Sequence, residues 1–194
     1  MKKQFLPLLA LAIAVLASSC NKLVDEIKKI IDPFEYTTPV ITYSLPTTIT
    51  TDGNEYNPGE QTIDFNIKQI LEDNASGVDV GLDDISKISL IEVKLNLEGA
   101  DEQTNWTNLE YIKAAINTTK GQQEGLNDLA ATKMIDDVEE ERYNEKVIEF
   151  ADNNLKDYLS GEDDKAIYNI SVKARKALEK DINIKAEIVY SFDP

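Results

Sequence analysis

The stretch "DINIKAEIVYSF", residues 181–192, decides the fold class. From Ile182 to Phe192 every second residue is apolar, and the residues between them are mostly polar. Side chains of a β-strand point alternately to its two faces, so a period of two gives one buried face and one wet face. We therefore predict a strand here that covers one side of a hydrophobic core.

The same alternation recurs along the chain, and its segments are separated by turn signals. In 88–97 it places Ile91, Val93, Leu95 and Leu97 on one predicted inner face. Regular segments occur at 40–45, 62–67, 88–97 and 111–117, and less regular ones at 129–134, 146–150 and 166–173. The polar run 51–60 contains Asp-Gly and Asn-Pro-Gly, which favour turns. Segments 67–74 and 154–159 read as short helical turns.

Strands buried on one face, with turns every ten to twenty residues, are typical of antiparallel sheets rather than of a parallel α/β fold. We expect an all-β protein, an antiparallel β-sandwich of about seven or eight strands. Its connections should be of the immunoglobulin-like or Greek-key type.

Composition excludes several kinds of chemistry. The 194 residues include 20 basic and 36 acidic side chains, for a formal net charge of −16, and no histidine. Such a surface repels nucleic acid, so we expect no nucleic-acid partner. Without histidine, Ser-His-Asp and Cys-His catalysis and His-based zinc sites are excluded from this chain alone. The single cysteine cannot form a disulfide within the chain.

The N-terminus carries the pattern of a secretion signal. Lys2 and Lys3 precede an uncharged run at 5–17. As a helix this run would be roughly 20 Å long, which is short of a hydrocarbon core about 30 Å thick. The segment therefore fits the apolar part of a signal peptide better than a membrane span.

The residues that follow, "LASSC" at 16–20, resemble the lipobox of bacterial lipoproteins. The resemblance implies a diacylglycerol on the thiol of Cys20 and cleavage just before it. Residues 1–19 would then be a removed signal peptide, 20–36 a lipidated N-terminus and tether, and 37–194 the β-sandwich domain. Asn21, in place of the aspartate associated with inner-membrane retention, favours the outer membrane. Residues 21–32 predict an amphipathic helix, which either lies on the membrane or serves as a tether helix.

Two segments offer oxygen ligands for a metal ion. The run "DDVEEERYNE" at 136–145 contains Asp136, Asp137, Glu139 and Glu140, which would suit Ca²⁺ if the loop gathered them. The other interpretation is a solvated connection between strands. In 51–60, Asp52 and Asn54 offer similar ligands within a predicted turn.

Trp106 is the one residue that the sequence nominates for ligand binding. It lies between polar residues and before a predicted strand. An exposed indole could stack on a sugar ring, whereas a buried one would plug the edge of the core.

We thus expect a membrane-anchored lipoprotein of the bacterial cell envelope that acts as a non-catalytic binding or structural module. It would contact the membrane through its lipid, and its partner would be another envelope protein or a glycan. The alternatives are a carbohydrate- or Ca²⁺-binding surface module and a carboxylate-dependent hydrolase. No catalytic residue and no cofactor is assigned, apart from the acyl groups on Cys20 and a possible Ca²⁺.

Overall fold

A computed structural model describes residues 32–74, 80–161 and 165–194. The predicted signal peptide, Cys20 and residues 21–31 of the predicted tether helix lie outside the described residues. In the part of the chain that is described, no helix is long and apolar enough to cross a membrane.

Nine strands and two short helices make up the regular structure of the described residues. The strands are β1 Phe34–Thr37, β2 Ile41–Leu45, β3 Glu60–Asp64, β4 Lys87–Glu98, β5 Leu109–Thr118, β6 Leu129–Met134, β7 Lys146–Glu149, β8 Lys165–Ala174 and β9 Ile182–Asp193. The helices are α1 Ile67–Asn74 and α2 Thr119–Glu124. Single 3-10 turns lie at Leu82–Asp84, Trp106–Asn108, Glu139–Glu141 and Lys156–Tyr158.

The strands form two antiparallel sheets that pack face to face. One sheet has the order β1-β9-β4-β7, and β2 also pairs with β9; the other has the order β3-β8-β5-β6. The predicted all-β antiparallel sandwich is confirmed. Its strand order is that of a jelly roll, a double Greek key, rather than that of an immunoglobulin domain.

Strand β9 organises the first sheet, as its regular alternation predicts. Every inward residue of the strand is at most 2% exposed: Ile182, Ile184, Ala186, Ile188, Tyr190 and Phe192. One edge of β9 pairs along its length with β4, and the other edge pairs with β2 and then with β1. This single strand therefore holds three others in register.

The structure corrects the predicted inner face of 88–97. Ile88 and Leu90 are buried, and so are Val93 and Leu95, but Ile91 is only half-buried. The pairing of β4 with β9 shifts between Leu90 and Glu92. A β-bulge inserts one extra residue, so the core-facing residues are even-numbered on one side of it and odd-numbered on the other. Leu90 thus takes the inward place that simple alternation gave to Ile91.

Two predicted segment boundaries also move. The strand predicted at 62–67 ends at Asp64, and Ile67 begins α1, as the helical interpretation of 67–74 predicts. Phe34 and Tyr36, which the sequence assigned to the tether, belong to β1. The Phe34 ring stacks on Phe192 at 4.9 Å. The sandwich therefore begins no later than Phe34.

The loops gather at two ends of the sandwich, which we name after a residue at each. At the Phe34 end, Phe34 pairs with Phe192, and Asp64 pairs with Lys165. At the Trp106 end lie the connection from β6 to β7 and the turn that precedes β5. The ten residues of β8 run from one end to the other, a length of about 30 Å.

Candidate functional site

Trp106 belongs to the core and is not a binding platform. Its side chain is 0% exposed, and its indole N–H donates to the backbone oxygen of Asn144 at 2.8 Å. The side chain of Asn105 caps the 3-10 turn that carries it, by accepting from the backbone N–H of Thr107 at 3.0 Å. A fully buried indole cannot stack on a sugar, so the structure corrects this candidate ligand-binding residue and favours the interpretation as a core plug.

The acidic segment 136–145 forms an exposed connection between β6 and β7. Three of its carboxylates pair with cations: Asp137 with Lys176 at 3.0 Å, Glu139 with Arg142 at 2.7 Å and Glu141 with Lys146 at 3.2 Å. The hydrogen bond from Lys176 lowers the pKa of Asp137. Among the described residues, no three acidic side chains converge on a point where a metal ion would fit. The structure therefore does not assemble Asp136, Asp137, Glu139 and Glu140 into a calcium site.

Asp52 and Asn54 form a turn with each other. One carboxylate oxygen of Asp52 accepts from the Thr50 hydroxyl at 2.7 Å and from the Asn54 N–H at 3.0 Å, and the other accepts from the Asn54 amide at 2.8 Å. These bonds, with that from Thr50 first, lower the pKa of Asp52. Both carboxylate oxygens of Asp52 therefore hold the loop together. These hydrogen bonds account for the closeness of the Asp52 and Asn54 side chains without a metal ion.

A cleft at the Phe34 end has a volume of about 800 Å³. Ligand sites in proteins commonly occupy about 300–1,000 Å³. It lies where β3 ends, α1 begins and β8 begins, beside the turn at Leu82–Asp84. Its lining consists of Asp64, Phe65, Asn66, Ile67, Lys68, Leu71, Glu72, Val80, Gly81, Leu82, Ser160, Gly161 and Lys165.

The floor of the cleft is apolar because α1 is amphipathic. Ile67 and Leu71 are buried on the inner face of α1, and Phe65, just before the helix, is 3% exposed. The Phe65 ring meets that of Tyr190 at 4.9 Å, edge to face, which holds it against the core. Asn66 starts the helix: its side-chain oxygen accepts from the backbone N–H of Gln69 at 3.0 Å, as a helix cap does.

The rim of the cleft is polar and electrically balanced. Asp64 pairs with Lys165 at 3.1 Å, and Glu72 pairs with Lys68 at 3.8 Å. Two carboxylates and two ammonium groups therefore line the opening of a chain whose net charge is −16. Ser160 and Asn66 add uncharged donors and acceptors. This local balance favours a neutral polar ligand over an ion, because neither sign of charge dominates the opening.

The cleft and the start of the sandwich share one end of the molecule. Phe65 lines the cleft and also contacts Tyr36 of β1, with ring centres 5.9 Å apart. Its ring stacks at 6.4 Å on Phe192, the residue that pairs with Phe34. The chain that precedes residue 34 therefore joins the sandwich beside the cleft.

Sequence reasoning did not nominate this cleft. Its residues come from four separate stretches of the chain, and none of them forms a motif. The sequence did contain one local signal for part of the cleft. An asparagine before an amphipathic helix predicts where α1 begins and which of its residues face inward. This signal does not predict that β8 starts on the other side of the cleft, because that position depends on the strand order.

Comparisons with known proteins give structural similarity without a family. No protein-family model matches the chain, and no curated protein matches it. A chain of Sacbrood virus of honeybee is similar with a TM-score of 0.35 and 8% identity, over 82% of this chain and 72% of that one. The decameric BFDV capsid protein gives 0.33 and 10%, over 84% and 100% respectively. A carbohydrate-binding module of the β-sandwich superfamily gives 0.32 and 10%, over 79% and 54%.

At these TM-scores the similar structures say nothing about function. The class of protein is defined by the sheets of this chain: it is an antiparallel β-sandwich with jelly-roll strand order.

Proposed function

We propose that this protein is a lipid-anchored, non-catalytic binding module of the bacterial cell envelope, and that its cleft holds a neutral carbohydrate. The observation that carries the proposal is the cleft at the Phe34 end, with its apolar floor and charge-balanced rim. The anchor rests on the sequence resemblance at Cys20.

The chemistry of the cleft fits a sugar. A pyranose ring presents C–H groups on its faces and hydroxyl groups around its edge. The half-buried side chains of Val80 and Leu82, which line the cleft, offer an apolar surface for the first, and Asp64, Lys165 and Ser160 offer acceptors and donors for the second. Sites of this kind combine an apolar lining with a few placed polar groups.

The proposed anchor would keep the cleft close to the membrane. From Cys20 to Phe34 there are fourteen residues, which span at most about 50 Å when fully extended. Because the chain joins the sandwich beside the cleft, the binding site would lie near the outer membrane, at roughly this distance or less. Confinement to a surface raises the effective concentration of the module for ligands held there.

The cleft is tested by titrating the full chain, purified from membranes in a sugar-free polyoxyethylene detergent, with a panel of neutral oligosaccharides by calorimetry. We expect saturable binding of at least one of them. Ser160→Trp should abolish that binding, because the indole fills the cleft from an exposed position. Val40→Trp adds the same bulk at an exposed site outside the cleft and should leave it unchanged.

Absence of binding to every oligosaccharide would overturn the ligand class. If Ser160→Trp and the native chain bind the oligosaccharide equally well, the ligand does not bind in the cleft. The anchor is tested separately by mass spectrometry of the membrane-derived protein, which should begin at Cys20 and carry diacylglycerol. An unmodified thiol or another N-terminus would contradict it.

A further inference from the structure

Exposed apolar side chains concentrate on one short segment at the Trp106 end. Four large hydrophobic residues are exposed among the described residues: Val40, Met134, Val138 and Tyr143, at 51%, 54%, 44% and 51%. Three of them fall within the ten residues from Met134 to Tyr143. We call this segment the Met134–Tyr143 surface. Large apolar groups that cluster on a surface mark interaction sites, whereas scattered ones need no explanation.

The Met134–Tyr143 surface is held in place by contacts with the body of the sandwich. At one side, the Ile135 N–H donates to the Glu110 oxygen at 3.0 Å, and Arg175 donates to the Ile135 oxygen. At the other side, the Trp106 N–H donates to the Arg142 oxygen at 3.3 Å. The exposed side chains therefore stand on an ordered loop, and a partner would not have to order it on binding.

The same surface carries carboxylates that the fold leaves unneutralised. Asp137, Glu139 and Glu141 have ion-pair partners. Asp136 and Glu140 are exposed and have no ion-pair partner within the described residues. The two lie in the same short segment as the exposed Val138, so negative charge and apolar area occur together.

We propose that the Met134–Tyr143 surface binds an extended, cationic segment of a partner protein that carries both apolar and basic residues on its contacting face. Its apolar side chains would contact Val138 and Tyr143, and its lysines or arginines would meet Asp136 and Glu140. Charge complementarity selects this occupant. A second copy of the chain would bring the same carboxylates against each other, which is unfavourable. Met134 ends β6, an edge strand, so an extended segment could also continue along the sheet.

This inference is independent of the anchor and of the cleft. The Met134–Tyr143 surface lies at the Trp106 end, and the cleft lies at the Phe34 end, about 30 Å away along β8. One module could therefore hold a glycan and a protein partner together.

The test uses a fluorescent synthetic peptide of about twelve residues that repeats Val-Val-Lys-Lys, so that each face of the extended chain carries both residue types. Its length spans a strand and its loop. The full chain in detergent is titrated into it at physiological ionic strength, and the peptide's anisotropy is followed. We expect saturable binding of one peptide per chain. Asp136→Asn with Glu140→Gln should weaken it about three- to tenfold. Val138→Ser with Tyr143→Ser should weaken it about tenfold or more.

Matched controls separate this surface from the general acidity of the chain. Glu35→Gln with Glu60→Gln removes the same charge from two exposed residues of β1 and β3, away from the surface, and should change affinity less than twofold. Val40→Ser is the apolar control. A peptide with the same lysines and with Ser in place of each Val has the same charge and should bind at least tenfold more weakly. Equal losses in the control and surface variants, equal binding of the two peptides, or no saturable binding would each overturn the proposal.

Discussion

The hydroxyl groups of Tyr168 and Tyr190 lie 2.8 Å apart inside the sandwich and join its two sheets by a hydrogen bond. Tyr168 belongs to β8 and Tyr190 to β9, and their side chains are 4% and 0% exposed. A buried hydroxyl without a partner is costly, whereas removing both members of a pair can be nearly neutral. The pair therefore allows a double-mutant test of the core.

We expect Tyr190→Phe to lower the free energy of unfolding by about 1–3 kcal/mol, because it leaves the Tyr168 hydroxyl buried and unpaired. The double variant Tyr168→Phe/Tyr190→Phe should be more stable than the sum of the two single effects predicts. Urea unfolding followed by circular dichroism measures this. Strict additivity would show that the hydroxyls do not interact.

Burial also makes the stability of the domain fall at alkaline pH. Desolvation raises the pKa of Tyr43, Tyr168 and Tyr190 far above the ordinary value of about 10. Above that pH the unfolded chain releases phenolic protons that the folded chain keeps. Stability should therefore be unaffected by these groups below about pH 10 and then fall by up to about 1.4 kcal/mol per pH unit for each tyrosine.

The measurement is urea unfolding at a series of pH values, with tyrosinate absorbance recorded in parallel. The slope above pH 10 should be smaller in Tyr168→Phe/Tyr190→Phe than in the native chain. Ionisation of all eight tyrosines near their ordinary pKa without unfolding would contradict the prediction.

The fluorescence of Trp106 should report on the folding of the core and should not respond to ligand binding. As the sole tryptophan, fully buried, it should emit at short wavelength and resist iodide quenching until the chain unfolds. Trp106→Phe removes the hydrogen bond to Asn144 and leaves a void, so we expect a loss of about 2–4 kcal/mol. Ready quenching of the native chain would show that the indole is exposed after all.

A side chain at Gly121 in α2 should be unfavourable. A Cβ at this position would lie 2.8 Å from the side-chain oxygens of Asn117 and Thr118 and 2.9 Å from Leu126. Since the Thr118 oxygen also caps α2, we expect Gly121→Ala to cost about 1–3 kcal/mol. Gly81→Ala is the control, because its Cβ would have its nearest neighbour at 3.9 Å. If the midpoint of thermal unfolding shifts equally in Gly121→Ala and Gly81→Ala, the expected clash at Gly121 is refuted.

The local pattern of apolar residues predicted most of the strands, but it failed where the pairing between strands decides which residues face the core. The alternation in β9, and in β5 from Ile112 onwards, predicts the buried faces because the inward residues there follow a period of two. Ile91 was misplaced because a bulge is a property of two paired strands, and its own sequence has nothing unusual. Strand β1 was missed because four residues beside a predicted tether carry too short a pattern. Helix α2, which contains a glycine, was missed for a similar reason.

For function, the sequence nominated single side chains, whereas the structure shows assembled surfaces. Trp106 was noticed because it is rare, but rarity does not distinguish an exposed ring from a buried one. Asp136 and Glu140 were noticed for their charge, and their importance here comes from the exposed Val138 and Tyr143 beside them. The cleft depends on the meeting of β3, α1 and β8, which strand order alone determines.

The position of β9 has a consequence for how the protein is made. Strands β1 and β2 are synthesised early, but both pair with β9, and their partner residues are 182–192. Until the ribosome has released that stretch, the first sheet lacks its middle and the early strands have nothing to bind. The first sheet must therefore wait for the closure of a loop of more than one hundred residues, and such distant pairings form slowly. Until then the unpaired early strands leave the polypeptide prone to aggregation.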